Sequence, residues 1–245
     1  TSIAMILGLP LGRVIGLAIG WRMTFAVVTM ISACISIYMF FVFPKFDKGE
    51  PFSLSGFPKI FKNKALIGVY VVTFLFATAY YTAYSYIDPF LSQVAHVSDS
   101  VATVVLMVFG GAGILGSILF SRTHDSHRIG FLTCSIAGIS VCVALLQFAS
   151  VSVPTIFLLC AVWGLSATSF NVAFQSEVIT AADDSISTVA MALFSSIFNL
   201  GIGLGTYIGG VVVSSFSIAW IGYVGAFFGV LALLYFLLKM KPALH

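Results

Sequence analysis

The chain is 245 residues long, 60% hydrophobic and 8% charged, with a mean hydropathy of +1.12 and a formal net charge of +3. So few charged groups cannot cover a water-soluble fold of this length, so a soluble protein is excluded and a lipid bilayer is the expected partner. The basic residues lie in short connecting stretches without an aromatic-interleaved patch, which argues against nucleic acid.

A spanning helix needs about 20 apolar residues, and on that measure the chain divides into roughly eight stretches. They run from 1 to 20, 23 to 43, 65 to 89, 100 to 121, 129 to 149, 153 to 175, 186 to 212 and 218 to 238. Thr1 is not an initiator and an apolar stretch begins at once, so the chain reads as a fragment of a longer one.

The first stretch contains GLPLGRVIG, Gly8 to Gly16. It sets Pro10, a helix breaker, and Arg13 among glycines. A charge at the centre of a spanning helix costs about 2.5 to 3.5 kcal/mol on insertion scales, so Arg13 reads either as paired with a carboxylate or carbonyls on a helix outside this fragment, or as a residue of substrate contact or proton coupling. Gly8, Gly12 and Gly16 recur every fourth residue on one face, where a neighbouring backbone can approach closely. After the second stretch, residues 44 to 64 form the longest connection, with Pro44, Pro51, Pro58, Gly49 and Gly56. Its end, Phe57 to Lys64, alternates apolar and basic residues. It fits a short amphipathic helix on the membrane surface or a solvated linker.

In the third stretch Tyr80, Tyr81 and Tyr84 share one broad helix face, and Asp88 precedes Pro89 near the end. Asp88 reads as hydrated or as a gate partner of Arg13 or Arg22. The fourth stretch carries Gly110, Gly113 and Gly116, and the RTHDSHR turn, Arg122 to Arg128, follows, with His124 and His127 expected as exposed loop residues. The sixth holds Asn171 and Gln175, with Glu177 at its end, solvated or paired with a loop cation. The seventh holds Phe198, Asn199, Gly201, Gly203, Gly205, Gly209 and Gly210. Cys34, Cys134, Cys142 and Cys160 lie in apolar runs without metal-ligand spacing and read as buried small apolar residues.

Charge in the connections sets the orientation. Lys45, Lys48, Lys59, Lys62, Lys64, Arg122, Arg128, Lys239 and Lys241 fall on one side if every stretch crosses. By the positive-inside rule that side is cytoplasmic, and Thr1 and His245 lie there too.

A pyranose has apolar C–H faces that pack on rings and hydroxyls that need donors and acceptors. Tyr80, Tyr81, Tyr84 and Phe198, with the amides of Asn171, Gln175 and Asn199, could form such a wall. The alternative is an interfacial aromatic belt with amides bonding helix to helix. No stretch contains HExxH, GxSxG, a P-loop or paired carboxylates. The reading is therefore not an enzyme, with no cofactor and no metal site.

GLPLGR, GWRMTF at Gly20 to Phe25, TAYSYIDPF at Thr82 to Phe90, GGAGILGS at Gly110 to Ser117, MALFSSIFNLGIGLG at Met191 to Gly205 and IGYVGA at Ile221 to Ala226 occur in order. This set resembles the major facilitator superfamily, drug:proton antiporter branch, and most closely the bacterial sugar efflux transporters of arabinose, lactose and galactosides. The superfamily's antiporter motif has adjacent Gly-Pro and a Gly-Gly pair three residues on; here Leu9 separates Gly8 from Pro10 and Arg13 replaces the second glycine. The resemblance implies an all-α integral membrane fold lacking about its first four helices. Residues 1–43 would be the last two helices of the first lobe, 44–64 a cytoplasmic inter-lobe loop and 65–245 the six-helix second lobe. It implies Gly8, Pro10, Gly12, Arg13 and Gly16 at the lobe interface, and the Tyr80 and Asn199 segments facing the central cavity. Gly116, Arg122, Asp125 and Arg128 match a degenerate inner-loop motif.

The function so implied is export of sugars across the bacterial inner membrane, driven by a proton gradient, by a protein that is monomeric when complete. An exporter of amphipathic drugs and a receptor or scaffold without transport are the alternatives.

Overall fold

The computed structural model describes residues 2–43, 57–183 and 186–243. Among them the chain forms ten α-helices: α1 (Ser2–Ile19), α2 (Trp21–Val42), α3 (Phe57–Lys62), α4 (Lys64–Tyr84), α5 (Ile87–Gln93), α6 (Asp99–Thr123), α7 (Arg128–Ala149), α8 (Val153–Ala181), α9 (Ser187–Ser215) and α10 (Ile221–Tyr235). A 3-10 turn, Ile218–Trp220, precedes α10, and a π-helical turn, Phe236–Met240, extends it.

Among the described residues, seven units are long and apolar enough to cross a membrane: α2, α4 with α5, α6, α7, α8, α9, and the run Ile218–Met240. The eighth expected span, α1, is a helix of 18 residues that runs straight through Pro10, about 27 Å at ~1.5 Å per residue.

Two boundaries differ from the sequence reading. The expected stretch from 65 to 89 breaks at Ser85 and Tyr86 into α4 and α5. Pro89 cannot donate to the carbonyl four residues back, so the ladder restarts and leaves Asp88 in the first turn of α5. The stretch expected to end at 175 continues to Ala181, and Glu177 inside it is paired with Arg128, the second of its two expected readings. Phe57–Lys62 is a helix, with Ile60 fully buried and Lys62 exposed. The rest of the expected inter-lobe loop, residues 44–56, lies outside the described residues.

Local chemistry fixes the joints. Gly20 caps α2 at φ 92°, ψ 154°, a conformation that is essentially glycine's alone, and this allows the one-residue turn from α1. Asn63 accepts from the Ala65 and Leu66 amides at 3.0 and 3.2 Å and donates to the Ala181 carbonyl at 2.8 Å. One side chain therefore caps α4 and ties it to the end of α8.

The central helix is α4: 67% of the apolar window of α4 and α5 is buried, against none of that of α2. It packs against α9, α10 and α8, while α6 pairs with α8 and α7 with α8 and α10. Lipid offers no hydrophobic drive for helix association, so close packing of small residues must supply it. A methyl on Gly201 would sit 2.6 Å from the Ala77 Cβ, and on Gly205 and Gly209 at 2.5 and 2.6 Å from the Thr78 and Thr82 carbonyls. Those threonines bond back to Phe74 and Thr78 carbonyls, which satisfies their hydroxyls inside α4. Gly113, Gly116 and Gly164 make the same kind of seam between α6 and α8, and Gly222, Gly225 and Gly229 seat α10 on α7 and α4.

Helix α1 packs against α6; among the described residues a Cβ on Gly12 or Gly16 would meet Thr24 of α2 at an ordinary 3.7 Å, and one on Gly8 would meet nothing within 4 Å. Of the cysteines, Cys142 and Cys160 are buried as expected, whereas Cys34 and Cys134 are exposed.

Candidate functional site

A 260 Å³ cavity lies where α4, α6, α8 and α9 meet. Its aromatic side is Phe76, Tyr80 and Tyr81 from α4 with Phe198 from α9; its polar side is Ser117 from α6 with Thr168, Asn171 and Gln175 from α8. Ala167 and Val172 complete it. Five expected positions on three helices, Tyr80 and Tyr81 on α4, Asn171 and Gln175 on α8 and Phe198 on α9, therefore converge here.

The aromatic side is a continuous cluster. Phe76 lies stacked with Tyr80 at a centroid distance of 6.3 Å, and Tyr81 meets Phe198 edge-on at 6.2 Å. Tyr84 is not part of the lining: it stacks behind Tyr80 at 4.8 Å and touches Phe109 and Trp163. On the polar side Gln175 Nε2 donates to Asn171 Oδ1 at 2.5 Å. This bond leaves the Asn171 Nδ2 donor and the Gln175 Oε1 acceptor for a ligand. No charged residue lines the cavity. A flat apolar wall opposite fixed donors and acceptors suits an uncharged molecule with both faces and hydroxyls.

Asn199 does not reach this cavity. It is exposed, and its Nδ2 donates to the Ser195 carbonyl at 2.7 Å. One residue from Phe198, it is turned about 100° round α9. Conversely, Phe76 lies one turn before Tyr80, and Thr168, Asn171, Val172 and Gln175 follow the i, i+3, i+4, i+7 pattern of a single helix face. That pattern was the available signal for Phe76, Thr168 and Val172; nothing comparable marked Ser117 or Ala167.

A second cluster joins α1 to the α4–α10 bundle. The Arg13 guanidinium pairs with Asp88 through Nη1 and donates from Nη2 to Asp99 Oδ1 at 2.6 Å. The Arg13 side chain is 8% exposed, so its charge is withdrawn from solvent and held by two carboxylates. Asp99 was not anticipated; it stands in the first turn of α6 after the Ser98 cap, where an acidic residue suits the helix dipole. Gly8, Gly12, Arg13, Asp88 and Leu106 border a 290 Å³ gap beside the pair. Arg22, the other expected partner of Asp88, instead lies over the Trp21 ring at 5.4 Å.

At the opposite helix ends Glu177 is 1% exposed, and Arg128 grips both of its oxygens. His124 joins them, with Nε2 3.5 Å from Glu177 Oε1. It is buried between Phe120 and Phe131 at 4.6 and 5.8 Å, contrary to its expected loop exposure. Helix α6 reaches Thr123, so His124 is its C-cap and turns inward; His127, four residues before the end of the first turn of α7, is exposed as expected.

Comparison with known proteins follows the same lines. The family profile described as Major Facilitator Superfamily matches residues 1–188. A protein of Pasteurella multocida (strain Pm70), named probable sugar efflux transporter, is 40% identical over 237 residues, covering 97% of this chain and 58% of its own length. A protein of Mannheimia succiniciproducens with the same name is 40% identical over 238 residues, covering 97% of this chain and 60% of its own. The chain thus spans about three fifths of the curated relatives it matches.

Proposed function

The chain belongs to the Major Facilitator Superfamily and is a multi-pass membrane protein; from that premise we propose that the complete protein exports a sugar or sugar-like small molecule from the cytoplasm. The observation that carries the reading is the cavity between α4, α6, α8 and α9, with rings on one side, amides and hydroxyls on the other, and no charge. Relatives at 40% identity named probable sugar efflux transporter support it.

Residues 1–43 are the last two helices of one lobe, 44–64 the cytoplasmic inter-lobe loop and 65–245 the second lobe. The membrane is the bacterial inner membrane, with Thr1 and His245 on the cytoplasmic side. Transport alternates access by rocking one lobe on the other around a midplane site and exchanges solute for protons. Arg13 bridging to Asp88 and Asp99 is a contact that such rocking would open and close.

Counterflow of labelled sugar in vesicles containing the complete protein tests this. Saturable movement that depends on a pH gradient is expected. Its absence overturns the reading, and inhibition by amphipathic cations without sugar movement would transfer the site to drugs.

A further inference from the structure

The buried tyrosines of α4 and its extension divide into two kinds. Tyr70 donates its hydroxyl to the Ala190 carbonyl and Tyr86 donates to the Thr206 carbonyl, each at 3.1 Å. These hydroxyls join α4 to α9 and are structural. Tyr80 is different: it lines the cavity, is 2% exposed, and its hydroxyl makes no hydrogen bond. The Tyr84 hydroxyl interacts with it, but without the geometry of a formed bond. The ring of Trp163 stands edge-on 5.9 Å from Tyr80, and its Nε1 is also buried without a partner.

An unpaired polar group inside a protein costs about 1 to 3 kcal/mol, which makes two of them in one aromatic cluster unfavourable unless something bound supplies the partner. Phe76 and Phe109 pack around the pair, and the Tyr84 ring stacks on Tyr80. A ligand lying in the cavity can present one hydroxyl to Tyr80 while its ring packs on the aromatic side.

We propose that Tyr80 is the specificity-determining residue of this cavity, its hydroxyl reading one particular hydroxyl of the transported sugar. This rests on the sugar-export reading and goes beyond it by assigning the recognition to one atom. Sites built to bond a substrate hydroxyl discriminate strongly against the analogue that lacks it, since the protein group is then left unpaired. Asn171 and Gln175, already bonded to each other, orient the rest of the molecule.

The test uses the complete protein in vesicles, with the transported sugar and each of its monodeoxy analogues. For the unmodified protein one analogue should move about tenfold less well than the parent, equivalent to roughly 1.4 kcal/mol. In Tyr80→Phe the parent should fall to the level of that analogue, the analogue itself should be unchanged, and the two should no longer be distinguished. Thermal stability provides the second readout. Tyr80→Phe should leave the melting temperature unchanged or raise it, whereas Tyr70→Phe should lower it.

If Tyr80→Phe discriminates among the analogues as the unmodified protein does, the assignment of Tyr80 is wrong while sugar export stands. A loss of stability matching that of Tyr70→Phe would make the hydroxyl structural and overturn it equally. If the unmodified protein moves no sugar of the panel, the sugar reading fails and this assignment falls with it.

Discussion

Arg128 holds the Glu177 carboxylate with two parallel hydrogen bonds, Nε to Oε1 at 2.7 Å and Nη2 to Oε2 at 2.5 Å. The carboxylate is buried, while 36% of the Arg128 side chain meets the surface. Removing a partner from a buried pair costs about 3 to 5 kcal/mol, because a charge stays behind uncompensated. The two sides are therefore unequal. Arg128→Ala strands the buried carboxylate and should cost about 3 kcal/mol. Glu177→Gln leaves a cation that can turn to water and should cost roughly 1 kcal/mol, the net worth of a hydrogen bond. Arg128→Lys, which keeps charge but loses the fork, should fall between. Denaturant unfolding in detergent measures the order, and an Arg128→Ala no weaker than Glu177→Gln would refute the buried pair.

The glycine seams make a prediction about packing alone. A methyl on Gly164 would run into the Phe109 carbonyl, a backbone atom that cannot turn away. Gly164→Ala should cost about 1 to 3 kcal/mol or lower the yield of folded protein. Gly203 has nothing within 4 Å of its virtual Cβ, and there alanine should be neutral or slightly stabilising, since it improves helix propensity. Thermal unfolding of the two variants separates seam from surface. Equal effects would mean that the α6–α8 approach is looser than described.

What could be read before the fold was known follows from the range of the interactions. All eight expected stretches appear as helices with ends shifted by a few residues, because hydropathy and the punctuation of Gly20, Pro89 and Asn63 are local. The meeting of Tyr80, Tyr81, Asn171, Gln175 and Phe198 was legible through helix-face spacing and family resemblance. Pairings across distance were legible only as alternatives: Arg13 with Asp88 stood beside a hydrated Asp88, and Asp99 was not among the candidates. Glu177 lies 49 positions from Arg128, so the sequence left it solvated or paired with a loop cation, and no local signal marked His124 as buried beside it. Gly8, Gly12 and Gly16 show why a small-residue stripe is ambiguous: the same spacing that makes a seam at Gly201, Gly205 and Gly209 leaves room beside α1.

One arginine shared by two aspartates makes the α1 contact a matter of charge counting. Arg13 with Asp88 and Asp99 carries a net charge of one negative unit. Arg13→Asp would place three carboxylates together, and Asp88→Arg would leave two guanidiniums for one. The double exchange restores one cation between two anions. Transport by the complete protein should therefore drop in both single variants and recover in large part in the double. A double exchange no better than either single variant would remove Arg13 and Asp88 from any common gate. Raising the salt concentration should weaken the singles' defects little, because the Arg13 side chain is almost wholly withdrawn from solvent.

Two asparagines that look alike in the sequence now separate. Asn171 borders the cavity with its Oδ1 taken by Gln175 and its Nδ2 left for a ligand, whereas Asn199 is exposed and bonded to the Ser195 carbonyl of its own helix. Asn171→Ala removes both a ligand donor and the group that orients Gln175. It should raise the KM for the transported sugar by about tenfold, the upper range for one neutral hydrogen bond. Asn199→Ala deletes a bond that the helix carbonyl can replace with its own ladder partner, so KM should change less than about twofold. Gln175→Ala should resemble Asn171→Ala, and the double variant should cost less than the sum of the two, since residues in one hydrogen-bonded unit are not additive. A reversed order, with Asn199 dominant, would move the binding surface from the α4–α8 side of α9 to its exposed face.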